Sequence, residues 1–247
     1  MTGVQTCALP ISLPYELFEK DGIRKYGFHG TSHRYVSGRC IELLGGKAEG
    51  TKIVTCHLGN GSSISAVKDG KCFDTTMGLT PLEGIIMGTR CGSIDPAIIP
   101  VIMKSHNLTP DEVDHLMNKK SGMLGLAGTS DNRTIEQMSN NGDKKAQLVE
   151  NMLCHQLTKY IGGFAAAMGG VDAIVFTGGI GENNPHYRSR VAEKIKFLGT
   201  EIDEEKNSIR GEEVEISVPG SKVKMFVIPT NEELVIARDT LEIVSNL

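Results

Sequence analysis

The feature that most constrains the fold of this chain is a glycine-rich turn, His57-Leu58-Gly59-Asn60-Gly61-Ser62-Ser63, set between two runs of strand-forming residues. Residues 51–57 enter the turn and 62–68 leave it, and Asp69-Gly70 separates off a third run at 71–76. Asn-Gly between β-rich runs is the strongest short hairpin signal, so the spacing predicts a meander of strands. The same turn can cradle a phosphate. Glycine takes positive φ without a Cβ clash and asparagine tolerates it, so consecutive N–H groups and the Ser62 and Ser63 hydroxyls can converge on an anion. The two readings are compatible, and the neighbouring segments decide between them.

Elsewhere helices and strands alternate. Thr31 or Ser32 is positioned to cap a helix to about Leu44, stopped by Gly45-Gly46. Asp95-Pro96 reads as the N-cap and first residue of a helix to about Ser105, and Thr109-Pro110 with Glu112 repeats that signal. From Asp143 to Met168, Leu148, Met152, Leu153, Leu157, Ile161 and Phe164 recur at helical spacing, the run stops at Gly169-Gly170, and small residues near the end predict close packing. A buried strand at Ala173–Phe176, a helix over Glu182–Leu198, a strand at Val223–Ile228 and a closing helix over Asn231–Val244 complete the pattern. Strands followed by helices imply an α/β layer architecture. At 247 residues the chain can bury a substantial core as one large domain or two small ones.

Charge excludes some functions. Charged residues make up 23% of the chain, the net charge is −4, and no block of like charge occurs, which argues against a nucleic-acid footprint or a membrane-surface patch. No apolar run reaches the about 18 residues of a membrane span. Cys7, Cys40, Cys56, Cys72, Cys91 and Cys154 form no Cys-x-x-Cys pair, so they read as reduced thiols of a cytoplasmic protein rather than as a zinc site or disulfide scaffold. Residues 1–12 lack the basic and apolar regions of a signal peptide, and Val4–Ile11 resembles a translated sequencing adapter. The expectation is a non-native tail at 1–12 and a reading frame that continues upstream.

Four groups carry candidate chemistry. Gly178-Gly179-Ile180-Gly181 lies between a buried strand and a helix opening with Glu182-Asn183, so backbone donors face one crevice. It is not the dinucleotide fingerprint, which would need glycine where Asn184 stands; a structural turn is the competing reading. Arg90 sits among glycines that let a ligand approach its forked donors, although a structural ion pair would account for it equally well. His29, between Phe28 and Gly30, reads alone as structural or surface polar, and Arg133 as a solvated surface residue. Asn231-Glu232-Glu233 opens the last helix, where a capping box or solvated acid is the plain interpretation.

The segments Gly27-Phe28-His29-Gly30-Thr31-Ser32-His33, Met87-Gly88-Thr89-Arg90-Cys91-Gly92-Ser93-Ile94-Asp95-Pro96 and Thr177-Gly178-Gly179-Ile180-Gly181-Glu182-Asn183 follow one another in a fixed order. With the first turn, Leu13-Pro14-Tyr15-Glu16, Pro81-Leu82-Glu83-Gly84 and Thr230-Asn231-Glu232-Glu233-Leu234, they resemble the carboxyl-terminal part of the acetokinase family of short-chain acyl-phosphate kinases. The resemblance runs from about Leu13 to the end. It implies an actin/hexokinase/sugar-kinase-like (ribonuclease H-like) α/β domain, a mixed sheet flanked by helices. It also implies reversible transfer of the ATP γ-phosphoryl group to acetate, giving acetyl phosphate and ADP, with propionate or butyrate as alternative acceptors. His29, Arg90 and Asn60 are then catalytic. His57, Leu58, Gly59, Asn60, Gly61, Asp131, Asn132, Arg133, Gly179, Ile180, Gly181, Glu182 and Asn183 bind nucleotide, and Glu232 serves Mg²⁺ (or Mn²⁺). The role of His33 is less defined, and a homodimer is expected.

The family's amino-terminal domain, with an Asn-Ala-Gly-Ser-Ser segment, a substrate-binding arginine and a catalytic aspartate, has no counterpart in this sequence. Its active site lies in the cleft between two domains. The expected division is therefore a tail at 1–12, a nucleotide-binding kinase domain at 13–230, and a terminal helix at 231–247 that packs on the absent domain. With one wall only, a non-catalytic nucleotide-binding or dimerisation module is the rival. Ser93 stands where the family more often has aspartate.

Overall fold

The computed structural model describes residues 11–246. Most of the expected tail, with Cys7, lies outside the described residues.

The expected meander forms: β1 (Lys52–Leu58), β2 (Ser62–Lys68) and β3 (Lys71–Thr75) pair antiparallel in sequence. Leu58 opposes Ser62, so Gly59, Asn60 and Gly61 are the whole connection. On the other edge of β1, β4 (Ala173–Thr177) runs parallel to it, and β6 (Lys224–Val227) runs parallel to β4, with the short β5 (Val214–Glu215) antiparallel outside. The resulting order β3-β2-β1-β4-β6-β5 is a mixed sheet, as the resemblance implies.

Helices cover both faces. Ahead of the sheet lie α1 (Tyr15–Asp21) and α2 (Gly30–Leu43); between β3 and β4 come α3 (Ile98–His106), α4 (Pro110–Lys119), α5 (Gly122–Ala127), α6 (Asn132–Asn140) and α7 (Lys144–Met168). After β4 follow α8 (Gly178–Asn183), α9 (Pro185–Lys194), a 3-10 turn (Lys196–Leu198), α10 (Glu204–Asn207) and, last, α11 (Glu232–Ser245).

The pleat sorts side chains between the two faces. Val54 and Cys56 of β1 and Ile64 and Ala66 of β2 join Leu153, Leu157, Ile161 and Phe164 of α7 in the larger core. Ile53 and Val67, with Val175 and Phe226, meet Val36, Cys40 and Ile41 of α2 on the opposite face. The same alternation turns Thr55, His57, Ser63 and Ser65 toward α2, which builds a polar pocket at one end of an otherwise apolar layer.

Several local expectations change. α2 begins at Gly30 and is capped by neither Thr31 nor Ser32; the N-cap position is His29, in the left-handed region at φ 58°. The single helix expected over Glu182–Leu198 is three pieces and starts earlier, because the glycines at 178–181 are themselves α8. Pro185 cannot continue the hydrogen-bond ladder and forces Asn184 out of the helical region; the Asn184 side chain instead accepts from Tyr187 N at 3.0 Å and caps α9. α3 starts at Ile98, after a turn in which Asp95 still accepts from Ala97 N at 2.9 Å as a capping side chain does, and Ile98 N and Ile99 N bond to Asp95 O and Pro96 O. In α7, Asp143 caps the start and Gly169 ends it in the left-handed conformation as expected, but Leu148 is exposed and Gly162 and Gly163 face open space rather than a close neighbour.

α11 docks on α2 by its first turns, with Val235 buried and an Arg34–Asp239 ion pair. Ile236, Leu241, Ile243 and Val244 are exposed. The double substitution Leu241→Lys/Ile243→Lys is therefore expected to change stability by less than about 0.5 kcal/mol while lowering self-association in light scattering. Val235→Ala should cost about 2 kcal/mol in urea unfolding. Equal destabilisation by the two variants would show that the outer face of α11 is covered.

Candidate active site

A cluster of imidazoles and hydroxyls occupies the polar end of the α2 face. His29 Nδ1 lies 2.9 Å from Ser63 Oγ, and the same oxygen is 2.7 Å from His33 Nε2. His33 Nδ1 in turn meets Thr55 Oγ1 at 2.7 Å, and His57 Nδ1 meets Ser32 Oγ at 2.8 Å. The rings of His29 and His57 stack with centroids 4.2 Å apart and planes at 19°. His29, the left-handed N-cap of α2, thus meets both strands through Ser63 of β2 and His57 of β1.

Burial holds all three imidazoles neutral. It lowers His57 to about 4, with His29 contributing, and lowers His29, with the Arg90 charge contributing. Fully buried His33 is pushed well below the usual range by desolvation and then by its two imidazole neighbours.

Arg90 reaches this cluster across the turn. A Cβ on Gly61 would lie 3.1 Å from Arg90 Nη1 and 3.4 Å from His29 Nε2, so the bare glycine is what lets the two side chains approach. None of Gly59, Asn60 and Gly61 has positive φ; close approach, not backbone freedom, is what these glycines provide. Among the described residues the Arg90 guanidinium makes only long hydrogen bonds, to the Pro81 carbonyl at 3.4 Å and Met87 Sδ at 3.6 Å, which leaves most of its five donors for a ligand. Its loop is fixed by backbone bonds: Gly88 N to Asn60 O at 3.0 Å, and Met123 N and Leu124 N of α5 to Met87 O and Gly88 O at 2.9 Å each. Ser93 closes the loop, its Oγ accepting from Gly84 N at 3.0 Å and its N–H donating to Gly84 O at 2.8 Å.

Beside this cluster is a cavity of about 500 Å³ lined by Gly59 and Asn60 of the turn, Asp131, Asn132 and Arg133 at the start of α6, Gly179, Ile180 and Asn183 of α8, and Arg210. Asp131 caps α6 through Arg133 N and Thr134 N and pairs with the exposed Arg133 side chain at 3.2 Å. Five residues expected to bind nucleotide fall elsewhere. Leu58 is buried in the core, and Gly181 packs on Phe176 and Cys56 of the strands. Glu182 turns inward, its Oε1 accepting from Gly178 N at 2.8 Å. His57 and Gly61 belong to the imidazole cluster. Likewise the hydroxyls expected on a phosphate are occupied: Ser62 bonds to Gly59 at 3.0 Å, and Ser63 to the histidines.

Sequence reasoning missed the residues behind these walls. Arg188, fully buried, donates to Gly181 O, Glu182 O, Asn207 Oδ1, Asn207 O and Ile209 O over 2.6–3.0 Å. Burial, then the neighbouring Arg210 charge, brings it down to about 10, still protonated at neutral pH. Arg210 donates to Asn183 O at 2.6 Å. Neither Arg188, in mid-helix, nor Arg210, in a loop, carries a sequence signal for its role.

Glu232 is exposed at the start of α11, whose N-cap is Asn231 accepting from Leu234 N at 3.0 Å. Among the described residues, no group of three acidic, histidine or cysteine side chains could cage a metal. Two residues before Glu232 in the chain, the buried Thr230 hydroxyl lacks a hydrogen-bond partner among the described residues, while the Thr230 N–H donates to Glu182 Oε1 at 3.4 Å. A single exposed carboxylate suits a hard ion that takes most of its ligands from water and phosphate.

Turns at the ends of two adjacent parallel strands face this cavity, and Arg90 and His29 approach one another over Gly61 next to its Gly59-Asn60 wall, the position at which open α/β sheets bind ligands. The chain belongs to the Acetokinase family, whose model matches residues 2–238. It is 58% identical to an acetate kinase of Carboxydothermus hydrogenoformans over 95% of this chain and 59% of that protein. With an acetate kinase of Methanosarcina thermophila it shares 56% identity, over 94% of this chain and 57% of that one. Among solved structures, Porphyromonas gingivalis acetate kinase superposes with a TM-score of 0.93 at 47% identity, over 96% of this chain and 60% of the other. A propionate kinase from Francisella tularensis superposes with a TM-score of 0.88 at 43% identity, over 94% and 59%. The chain thus spans about three fifths of the length of these relatives. Among the described residues no helix is long and apolar enough to cross a membrane.

The neutral histidines make stability depend on pH. Their folded-state values lie below the ordinary 6.5, for His57 at about 4, so between these limits the unfolded chain binds protons that the folded chain refuses. The contribution is complete above about pH 6.5 and is lost as pH falls toward about 4, at up to about 1.4 kcal/mol per pH unit for each histidine. Urea unfolding across this window is expected to give a steeper slope for the wild type than for His57→Gln. Matching slopes would show that His57 protonates as readily folded as unfolded.

Proposed function

We propose that this chain forms the nucleotide side of a kinase that moves the ATP γ-phosphoryl group to acetate, giving acetyl phosphate and ADP, and catalyses the reverse transfer. The observation that carries this reading is the approach of Arg90 and His29 over Gly61, next to the cavity bordered by Asn60, Asp131, Arg133 and Gly179. Identity of 56–58% to proteins named acetate kinase supports acetate as the acceptor, and likeness to a propionate kinase makes propionate and butyrate the acceptors to compare.

A small carboxylate is already ionised near neutral pH, so it attacks phosphorus without a general base. Its oxygen bonds to Pγ as the bond from Pγ to the bridging oxygen breaks, and ADP leaves with that electron pair. Repulsion between anions is the barrier, so positioning and fixed positive charge supply most of the catalysis. In this reading Arg90 forks its donors onto the phosphoryl oxygens, neutral His29 donates one more bond, and the Asn60 carboxamide holds the phosphate chain. Gly59, Asp131, Asn132, Arg133, Gly179, Ile180 and Asn183 receive the nucleotide, while His57, Leu58, Gly61, Gly181 and Glu182 shape the walls from behind. A divalent ion, Mg²⁺ or Mn²⁺, arriving with the nucleotide neutralises phosphate charge, and Glu232 would hold it through water. The same reading makes the protein a cytoplasmic homodimer with neither nucleic acid nor membrane as partner.

Two measurements test it. Calorimetric titration of the 247-residue chain with ADP is expected to show binding that Asp131→Ala weakens at least tenfold, a loss of about 1.4 kcal/mol. Hydroxylamine trapping of acyl phosphate, with the chain fused to the part of the Carboxydothermus protein outside the match, should show turnover. Arg90→Ala should lower kcat about 100-fold or more and leave ADP affinity within threefold. An Arg90→Ala fusion within threefold of wild type in kcat and kcat/KM would sink the assignment, and nucleotide binding without any acyl phosphate would favour a non-catalytic module.

A further inference from the structure

We propose that Ser63 and His33 are positioning residues for His29: a directed chain of hydrogen bonds, Thr55 to His33 to Ser63 to His29, fixes His29 as its Nε2–H tautomer and aims that donor at the cleft. Ser63 has one proton and two imidazole neighbours, His29 Nδ1 at 2.9 Å and His33 Nε2 at 2.7 Å. Its oxygen could accept from both, but its own buried proton would then have no acceptor among the described residues, which is costly away from water, so it donates to one and accepts from the other. Two polarities are therefore open, and Thr55 chooses between them. The Thr55 hydroxyl has two candidate acceptors, His33 Nδ1 at 2.7 Å and the Ser65 carbonyl at 3.4 Å. The first is a good O–H···N distance and the second lies beyond the normal range for a hydroxyl donor. With the Thr55 proton on the His33 side, His33 carries its own proton on Nε2 and gives it to Ser63. Ser63 then donates to His29 Nδ1, and the remaining His29 proton sits on Nε2, the nitrogen nearest Arg90 across Gly61.

The surroundings hold this arrangement in place. His57 stacks on the His29 ring and is itself tied to Ser32, so the ring cannot flip to exchange its nitrogens without breaking the stack. Ser63, Thr55 and His33 are buried, so water does not compete for the hydrogen bonds. The charged or titratable groups facing His29 are Arg90, His57 and His33. None offers a carboxylate that would draw the Nδ1 proton the other way. Two donors, a guanidinium and an N–H, then face one gap, which fits an anionic oxygen and repels a cation. The tautomer stands on these hydrogen bonds alone; its use on a phosphoryl oxygen rests on the phosphotransfer reading above.

The test is histidine-selective ¹⁵N NMR of the 247-residue chain, which distinguishes protonated from bare ring nitrogens. His29 is expected to show a protonated Nε2 and a bare Nδ1, as is His33 at Nε2. Ser63→Ala should abolish the fixed tautomer of His29 and give averaged nitrogen shifts. His33→Gln, whose amide N–H can replace Nε2–H as donor to Ser63, should keep it, whereas His33→Leu should not. In the fusion enzyme, Ser63→Ala and His33→Leu should lower kcat about tenfold with nucleotide KM within twofold, as loss of an outer partner does for other acting imidazoles, and His33→Gln should retain most of the rate. A protonated Nδ1 on His29, or a His29 tautomer unmoved by Ser63→Ala, would overturn the proposal. Because the NMR reading needs no turnover, its failure is separate from failure of the kinase assignment.

Discussion

Strand β1 pairs parallel with β4 in a register that sets His57 opposite Thr177, and both halves of the site hang on that pairing. It brings the turn after β1 and the start of α8 side by side at the carboxyl ends of two adjacent parallel strands, where α/β sheets leave a crevice for ligands. The antiparallel pairing of β1 with β2 on its other edge then returns Ser63 beside the same crevice. A one-residue slip in either ladder would exchange the faces, sending Thr55, His57 and Ser63 into the apolar layer under α7. Tight packing of Val54, Cys56, Ile64 and Ile174 in that layer is thus what keeps the polar cluster on the side of α2.

Electrostatically the site separates two kinds of donor. Arg90 supplies a guanidinium, and the imidazoles beside it are kept uncharged by burial first and then by their charged or imidazole neighbours. The stacked pair at 4.2 Å would be strongly repulsive with both rings protonated. An incoming anion therefore meets one fixed charge and a set of oriented dipoles, a combination that stabilises charge without reorganising as it develops.

Much of the fold was legible in the sequence because its signals are local. The Asn60-Gly61 turn, the Asp69-Gly70 turn, the Thr109–Glu112 capping box and the Gly169 stop each act within four residues, and each lies where expected. The motif positions of His29, Asn60, Arg90, Asp131 and Gly179 were legible too, and the structure draws them to one region. What the sequence did not reveal depends on tertiary placement. Nothing in the pattern distinguishes Glu182, which turns inward to cap its own helix, from Asn183, which lines the cavity. The glycines of the turn were correct for a reason other than backbone freedom, since their value lies in what approaches Gly61 from distant segments. Pro185 is a break signal that the single helix expected over Glu182–Leu198 leaves out of account.

Arg188 has a consequence beyond holding α8 in place. Its guanidinium binds three stretches of backbone at 181–182, 207 and 209 from a position sealed from water, so the loop carrying Arg210 and the helix carrying Asn183 form one body. The conformational freedom of that wall is surrendered when the protein folds. A nucleotide arriving later meets a surface already ordered, and the entropy cost of association falls on exposed side chains such as Arg133 rather than on the backbone.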